Sequence, residues 1–157
     1  MRPGQVERHT HDYKRNGTTT LFAALSIATG KVIGECYQKH RHQEFLKFLK
    51  QLDKGIPEKE LHLILDNYGT HKQEDVQNWL KKHQRFHLHF TPTGASWMNM
   101  VEIWFGILTN QAIRRGSFDS VERLIGAINA FMAHWNKGSK PFVWTKSAEK
   151  ILAKAVR

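Results

Sequence analysis

Two carboxylates, Asp66 and Glu102, stand where a divalent metal ion could use them. Asp66 closes the apolar run Leu61-His62-Leu63-Ile64-Leu65, which reads as a buried strand delivering an acid to a sheet edge. Glu102 follows 36 positions later in Trp97-Met98-Asn99-Met100-Val101-Glu102-Ile103-Trp104, the start of an amphipathic helix. An acid at a strand's carboxyl end and another on a following helix can converge on one ion. Two metals acting in line on a phosphodiester usually call for three or more acids, so the sequence offers two candidate ligands and no evident third. Each acid also has a plainer reading. Asp66-Asn67-Tyr68-Gly69 suits a turn, and the exposed face of an ordinary amphipathic helix can carry Glu102.

Around these acids the helix pattern gathers a polar patch. Asn99 lies three residues before Glu102 and Ser96 one turn earlier, while Val101, Trp104, Phe105 and Leu108 occupy much of the opposite side. His71 lies close to Asp66 in sequence. Among ten histidines, His9-x-His11, His40-x-His42 and His87-x-His89 have spacings that can bind zinc, and the last pair would project from one side of a strand. With one cysteine and no H-E-x-x-H or C-x-x-C arrangement, zinc has little to rest on. No Ser-His-Asp order or glycine-rich phosphate loop stands out either.

Charge points to a polyanion. Lys plus Arg number 24 against 14 Asp plus Glu, a net charge of +10, and the pI is near 9.9. That balance favours nucleic acid through counterion release, although basic surfaces also occur in proteins that bind none. Basic pairs sit at Lys14-Arg15, Lys81-Lys82 and Arg114-Arg115, the last directly after the Glu102 helix. For any single pair, a solvated helix end where cations meet the dipole explains the charge as well. Cys36 is the only cysteine, so no intrachain disulfide forms, and no apolar stretch approaches the ~18 residues of a membrane span. The expectation is a cytoplasmic protein, nucleoid-associated if bacterial, with no membrane partner.

At 157 residues and 40% hydrophobic content the chain is one domain's worth. Residues 1–17 read as an irregular leader, and 18–25 and 31–37 as antiparallel strands turned through Ala28-Thr29-Gly30. A helix over 42–52 buries Phe45, Leu46, Phe48, Leu49 and Leu52. The strand ending at Asp66, a helix over 73–83 and a strand over 86–90 follow, then a loop and a helix over 98–111. Asp119 is expected to cap a helix carrying Leu124, Ile125, Ile128, Phe131, Met132 and Trp135, and 147–156 reads as a short terminal helix. The class is mixed α/β.

Taken together, four stretches resemble the DDE transposases of the IS630 and Tc1/mariner superfamily. They are Tyr13-Lys14-Arg15-Asn16-Gly17-Thr18, Leu63-Ile64-Leu65-Asp66-Asn67-Tyr68-Gly69-Thr70-His71-Lys72, Phe90 through Ser96 to Trp104, and Pro141-Phe142-Val143-Trp144-Thr145-Lys146. The resemblance implies an RNase H-like fold, a central mixed sheet covered by helices. It implies metal-dependent DNA strand cleavage and strand transfer during transposition of an insertion sequence, with Mg²⁺ as cofactor and Mn²⁺ as a substitute. Asp66 would match the family's second Asp and Glu102 its Glu, both as metal ligands and catalytic residues. Asn99 and His71 would support them, and Lys14, Arg15, Lys72, Arg114 and Arg115 would contact DNA.

The departure is at the start. The family's first Asp lies on its first strand, upstream of the stretch matching Tyr13 to Thr18. Glu7 and Asp12 fall in the leader and Glu35 in the third family strand, so none fits that position. The expected fold is therefore an RNase H-like mixed sheet whose first, central strand is absent from this chain, as is the helix-turn-helix region that recognises element ends. Losing that strand exposes edges in mid-sheet, so a homodimer or completion by another transposase fragment is expected, with little cleavage by the chain alone. The alternative from a different class is a non-catalytic DNA-binding or dimerising remnant. A third reading, an RNase H-like nuclease unrelated to transposition, is opposed by the 96–104 segment.

Overall fold

The structure, a computed structural model, describes residues 17–66, 73–91 and 100–141. Two short, mainly apolar runs form β1 (Thr20–Leu25), with Thr20 and Phe22, and β2 (Val32–Tyr37), with Val32, Ile33 and Tyr37, paired antiparallel with Leu25 opposite Val32 and Thr20 opposite Tyr37. The turn closes through Ser26 N–H on the Lys31 carbonyl at 2.8 Å and Gly30 N–H on the Ser26 carbonyl at 2.7 Å. Gly30 has a φ of 70°, and a Cβ there would also collide with the Lys140 backbone.

α1 (His42–Gly55) turns Phe45, Phe48, Leu49 and Leu52 inward and runs to Gly55, beyond the expected end at 52. The Ile56 N–H still reaches the Leu52 carbonyl at 3.0 Å, and Pro57 then halts the helix. β3 (Leu61–Leu65) and β4 (Phe86–Phe90) are parallel, Leu61 beside Phe86 and Leu65 beside Phe90, joined through α2 (Glu74–Lys82). Parallel pairing requires such a crossover, which lays α2 beside α1. Phe22, the α1 stripe, Val76 and Phe86 form one core, with Leu61, Leu63 and Leu65 packed against it.

Arg85 fastens the entry to β4. Its guanidinium donates to Asp53 Oδ1 at 2.7 and 3.1 Å and to the carbonyls of Asp53, Ile56 and Lys59 at 2.7–2.9 Å, tying the loop after α1 to the sheet.

The second core lies across the hairpin. α3 (Met100–Leu108) and α4 (Val121–Lys137) bring Trp104, Leu108, Ile128 and Met132 onto Val32, with Leu21, Ala23 and Leu25 packed alongside. α4 docks on the start of β2 by hydrogen bonds as well as by packing. Asn136 accepts from Val32 N–H and donates to the Val32 carbonyl, both at 2.8 Å, and Trp135 Nε1 donates to the Gly30 carbonyl at 2.8 Å. Gly34 permits this approach, since a Cβ there would strike Met132 Sδ. The hairpin thus lies between two helical layers, α1 on one face and α3 with α4 on the other.

Three expectations change. The sheet is in two pieces among the described residues, an antiparallel pair β1-β2 and a parallel pair β3-β4. The helix carrying Glu102 does not stay α-helical to Gln111; after Leu108 it widens into a π turn, Thr109–Ile113. Ser120, rather than Asp119, caps α4, its side chain accepting from Arg123 N–H at 3.2 Å. Asp119 meets Arg123 Nε at 3.2 Å instead, one turn apart and too early for the cap. All of the expected leader over 1–17 except Gly17, and the helix expected over 147–156, lie outside the described residues.

One ion pair sets a pH dependence. Arg41 grips Glu44 with Nη2 at 2.6 Å and Nε at 3.0 Å, and this hydrogen bonding holds the Glu44 carboxyl at about 2, below its ordinary 4.5. A carboxyl lowered in the folded state stabilises the fold fully above its unfolded pKa, and that stabilisation is lost as pH falls toward the folded value. Thermal unfolding followed from pH 6 down to about 2 is expected to show Tm falling most steeply below about 4.5, and Glu44→Gln is expected to flatten that limb. An unchanged limb in Glu44→Gln would assign it to other carboxylates.

Candidate functional site

Strand alternation fixes the side on which Asp66 stands. Leu61, Leu63 and Leu65 face the core under α1 and α2, so His62, Ile64 and the residue after the strand, Asp66, fall on the opposite face. Exposure follows this alternation, with 62, 64 and 66 exposed and 61, 63 and 65 half-buried. On the hairpin, Phe22 and Ala24 join the α1 core while Leu21, Ala23 and Leu25 join the α3 and α4 core. α1 therefore backs both strand pairs, and Asp66 and α3 lie on the side away from it.

Glu102 is exposed in the first turn of α3, with Trp104 and Leu108 buried on the helix's other side. Trp104 is fully buried, its ring within 5.5 Å of Phe105, 6.1 Å of Phe131 and 6.4 Å of Trp135 between centroids. This aromatic packing anchors the helix that presents Glu102.

Thr91 is the residue that the sequence did not single out. It is buried, its N–H extends the β3-β4 pairing by bonding the Leu65 carbonyl at 2.8 Å, and its hydroxyl lies 3.5 Å from Asp66 Oδ1. The available signal was positional: a threonine directly after β4, in register with the acid directly after β3. Asn99, His71, Lys14, Arg15 and Lys72 lie outside the described residues. Arg114 and Arg115 are exposed just past the π turn.

The oxygen donors at the two acids and Thr91 suit a hard divalent cation better than a soft one. Among the described residues, no group of three or more His, Cys, Asp or Glu side chains could hold a metal ion. The histidines on the exposed face of β3 and β4 engage neighbours. His62 Nδ1 and His89 Nε2 share a hydrogen bond at 2.9 Å, the His62 and His87 rings stack at 4.7 Å, and His87 pairs with Glu60 at 2.6 Å. The His87-x-His89 zinc reading gains no third ligand there. No helix among the described residues is long and apolar enough to cross a membrane.

Over residues 1–125 the sequence matches the family model described as DDE superfamily endonuclease. It is similar to the "Insertion element IS630 uncharacterized 39 kDa protein" of Shigella sonnei, at 30% identity over 131 residues, 83% of this chain and 35% of that protein. A chain from the cryo-EM structure of the simian T-cell lymphotropic virus intasome in complex with PP2A regulatory subunit B56 gamma matches with a TM-score of 0.59 and 16% identity. That match covers 77% of this chain and 42% of the other, and at such identity it shows a likeness of fold. The chain thus spans about a third of the length of the curated relative.

Proposed function

The chain belongs to the DDE superfamily of endonucleases, and from that premise we propose that it is part of the catalytic domain of an IS630-type transposase acting on DNA. The observation that carries this reading is the placement of Asp66 at the carboxyl end of β3 and Glu102 in the first turn of α3, both exposed on the side away from α1. The likeness to the intasome chain supports an RNase H-like arrangement.

Asp66 and Glu102 would hold the divalent ion, Mg²⁺ or Mn²⁺, by carboxylate oxygens. When bound, such an ion polarises a phosphodiester and activates the attacking oxygen. The protein's own part is orientation. Asp66 stands on a strand fixed by its partner β4, with Thr91 behind it, and Glu102 on a helix fixed by the Trp104 packing. His71 and Asn99 are proposed to support the two acids, and Lys14, Arg15, Lys72, Arg114 and Arg115 to hold DNA phosphates.

The split sheet bears on completeness. Among the described residues β1 pairs with β2 and β3 with β4, so β1 and β3 each keep an edge without a strand. A strand paired with both would unite the sheet, and a third acid at its end would stand beside Asp66. We place the family's first Asp on such a strand. The same gap favours the second reading, a remnant that binds DNA without cutting it.

The test combines binding with cleavage. The chain is expected to bind duplex DNA with an affinity that falls at least about tenfold between 50 and 200 mM salt, because phosphate contacts release counterions. Supercoiled plasmid with Mg²⁺ then separates the readings. Nicking that disappears in Glu102→Gln identifies an enzyme, and salt-sensitive binding without nicking identifies the remnant. Neither binding nor nicking would contradict both.

A further inference from the structure

The π turn changes where the basic end of the Glu102 helix points. Its signature bond runs from Arg114 N–H to the Thr109 carbonyl, five residues back, at 2.8 Å. Had the helix stayed α-helical, the twelve residues from Glu102 to Arg114 would turn about 1200° in all, leaving Arg114 about 120° round the axis. Five-back bonding admits one extra residue into the turn, so Arg114 stands where the eleventh α-helical residue would. That is about 20° from Glu102 and about 16 Å along the axis. Arg115, one residue on, points about 100° further round.

The residues between complete a strip. Glu102, Gly106, Asn110 and Arg114 recur every four positions and all are exposed. Gly106 is a helix-interior glycine, which costs about 0.5–1 kcal/mol relative to alanine. Packing among the described residues does not ask for it, since a Cβ there would meet nothing within 4 Å among them. A glycine that no contact among the described residues requires leaves room for an external group to approach the helix backbone. The strip therefore runs from an acid, past an open stretch of backbone and an amide, to a guanidinium, on a chain of net charge +10.

We propose that this strip is the track for the phosphate backbone of one DNA strand, with Arg114 its anchoring phosphate contact, and that the π turn holds Arg114 in line with Glu102. The proposal rests on the DDE reading of Glu102. A span of about 16 Å corresponds to about five base pairs of duplex rise, so Arg114 fixes the strand about five nucleotides from the phosphodiester at the acids. Asn110 donates to the intervening backbone, and Gly106 lets it lie close.

The experiment measures binding of the full chain to a fluorescein-labelled duplex of mixed sequence across a salt series. Arg114→Gln is expected to weaken binding about tenfold at low salt and to reduce the slope of log K against log salt by about one unit. Gly106→Leu is expected to weaken binding with the slope unchanged, and Arg115→Gln to have less than half the effect of Arg114→Gln. Deleting Gln111 removes the extra residue while keeping Arg114 in phase, so binding is expected to persist. Inserting an alanine after Ile113 swings Arg114 by about 100° and is expected to match Arg114→Gln. Equal affinity of Arg114→Gln and the unaltered chain, or a larger loss in Arg115→Gln, would overturn the track while leaving the family reading intact. Failure of the unaltered chain to bind the duplex would overturn the track and the proposed action on DNA, while the family assignment stands.

Discussion

Trp104→Ala is expected to lower the unfolding free energy by about 3–5 kcal/mol, the range for removing a large aromatic side chain from a packed core. Trp104 is fully buried at the centre of the core shared by α3, α4 and the hairpin, ringed by Phe105, Phe131 and Trp135. Domains of this size are stable by about 5–15 kcal/mol, so the substitution removes a large share of the total. One detail separates packing from hydrogen bonding. Trp104 Nε1 is buried without a hydrogen-bond partner among the described residues, an arrangement that costs about 1–3 kcal/mol. Trp104→Phe keeps an aromatic ring and removes that N–H, so it is expected to cost less than half as much as the alanine variant. Urea unfolding of the two variants checks this, and equal losses would mean that the indole N–H finds a partner in solution.

The elements around this core were legible because their periodicities were clean. The hairpin's two short apolar runs, the Phe45-Phe48-Leu49-Leu52 stripe and the five-residue strand over 86–90 all stand where spacing put them. The elements that carry the two acids were legible for the same reason, although the strand before Asp66, expected to be buried, is half-buried with His62 and Ile64 exposed, and Glu102 begins a stripe containing Trp104 and Leu108.

What escaped depends on interactions that periodicity does not encode. Side-chain spacing looks helical whether backbone bonds reach back four or five residues, so the π turn after Leu108 left no mark in the pattern. Asp119 and Ser120 are both competent caps, and choosing between neighbours requires knowing where the helix axis begins. The docking of Asn136 on Val32 and the pairing of Thr91 with Asp66 join residues far apart in sequence. The gap between β1 and β3 is also long-range, since strand adjacency is set by the whole topology.

The second large effect concerns the acids. Asp66 is carried by the strand pair and Glu102 by the helix packed on the hairpin, so the two reach one ion only if both halves of the fold are held in register by α1. Two carboxylates on one divalent ion act together, and removing either is expected to weaken its binding by at least about tenfold. Asp66→Asn and Glu102→Gln change charge with little change in shape, and both sites are exposed, so stability is expected to move by less than about 0.5 kcal/mol. Loss of ion binding without loss of fold would therefore report the site itself.

Paramagnetic broadening by Mn²⁺ of the amide resonances of the ¹⁵N-labelled chain tests most directly whether Asp66 and Glu102 share an ion. The account predicts that low Mn²⁺ broadens two patches together, one around Leu65 and Asp66 and one around Val101 to Ile103, and that Asp66→Asn abolishes both. Broadening around Glu102 that survives Asp66→Asn, or broadening centred on His62 and His89 instead, would contradict it.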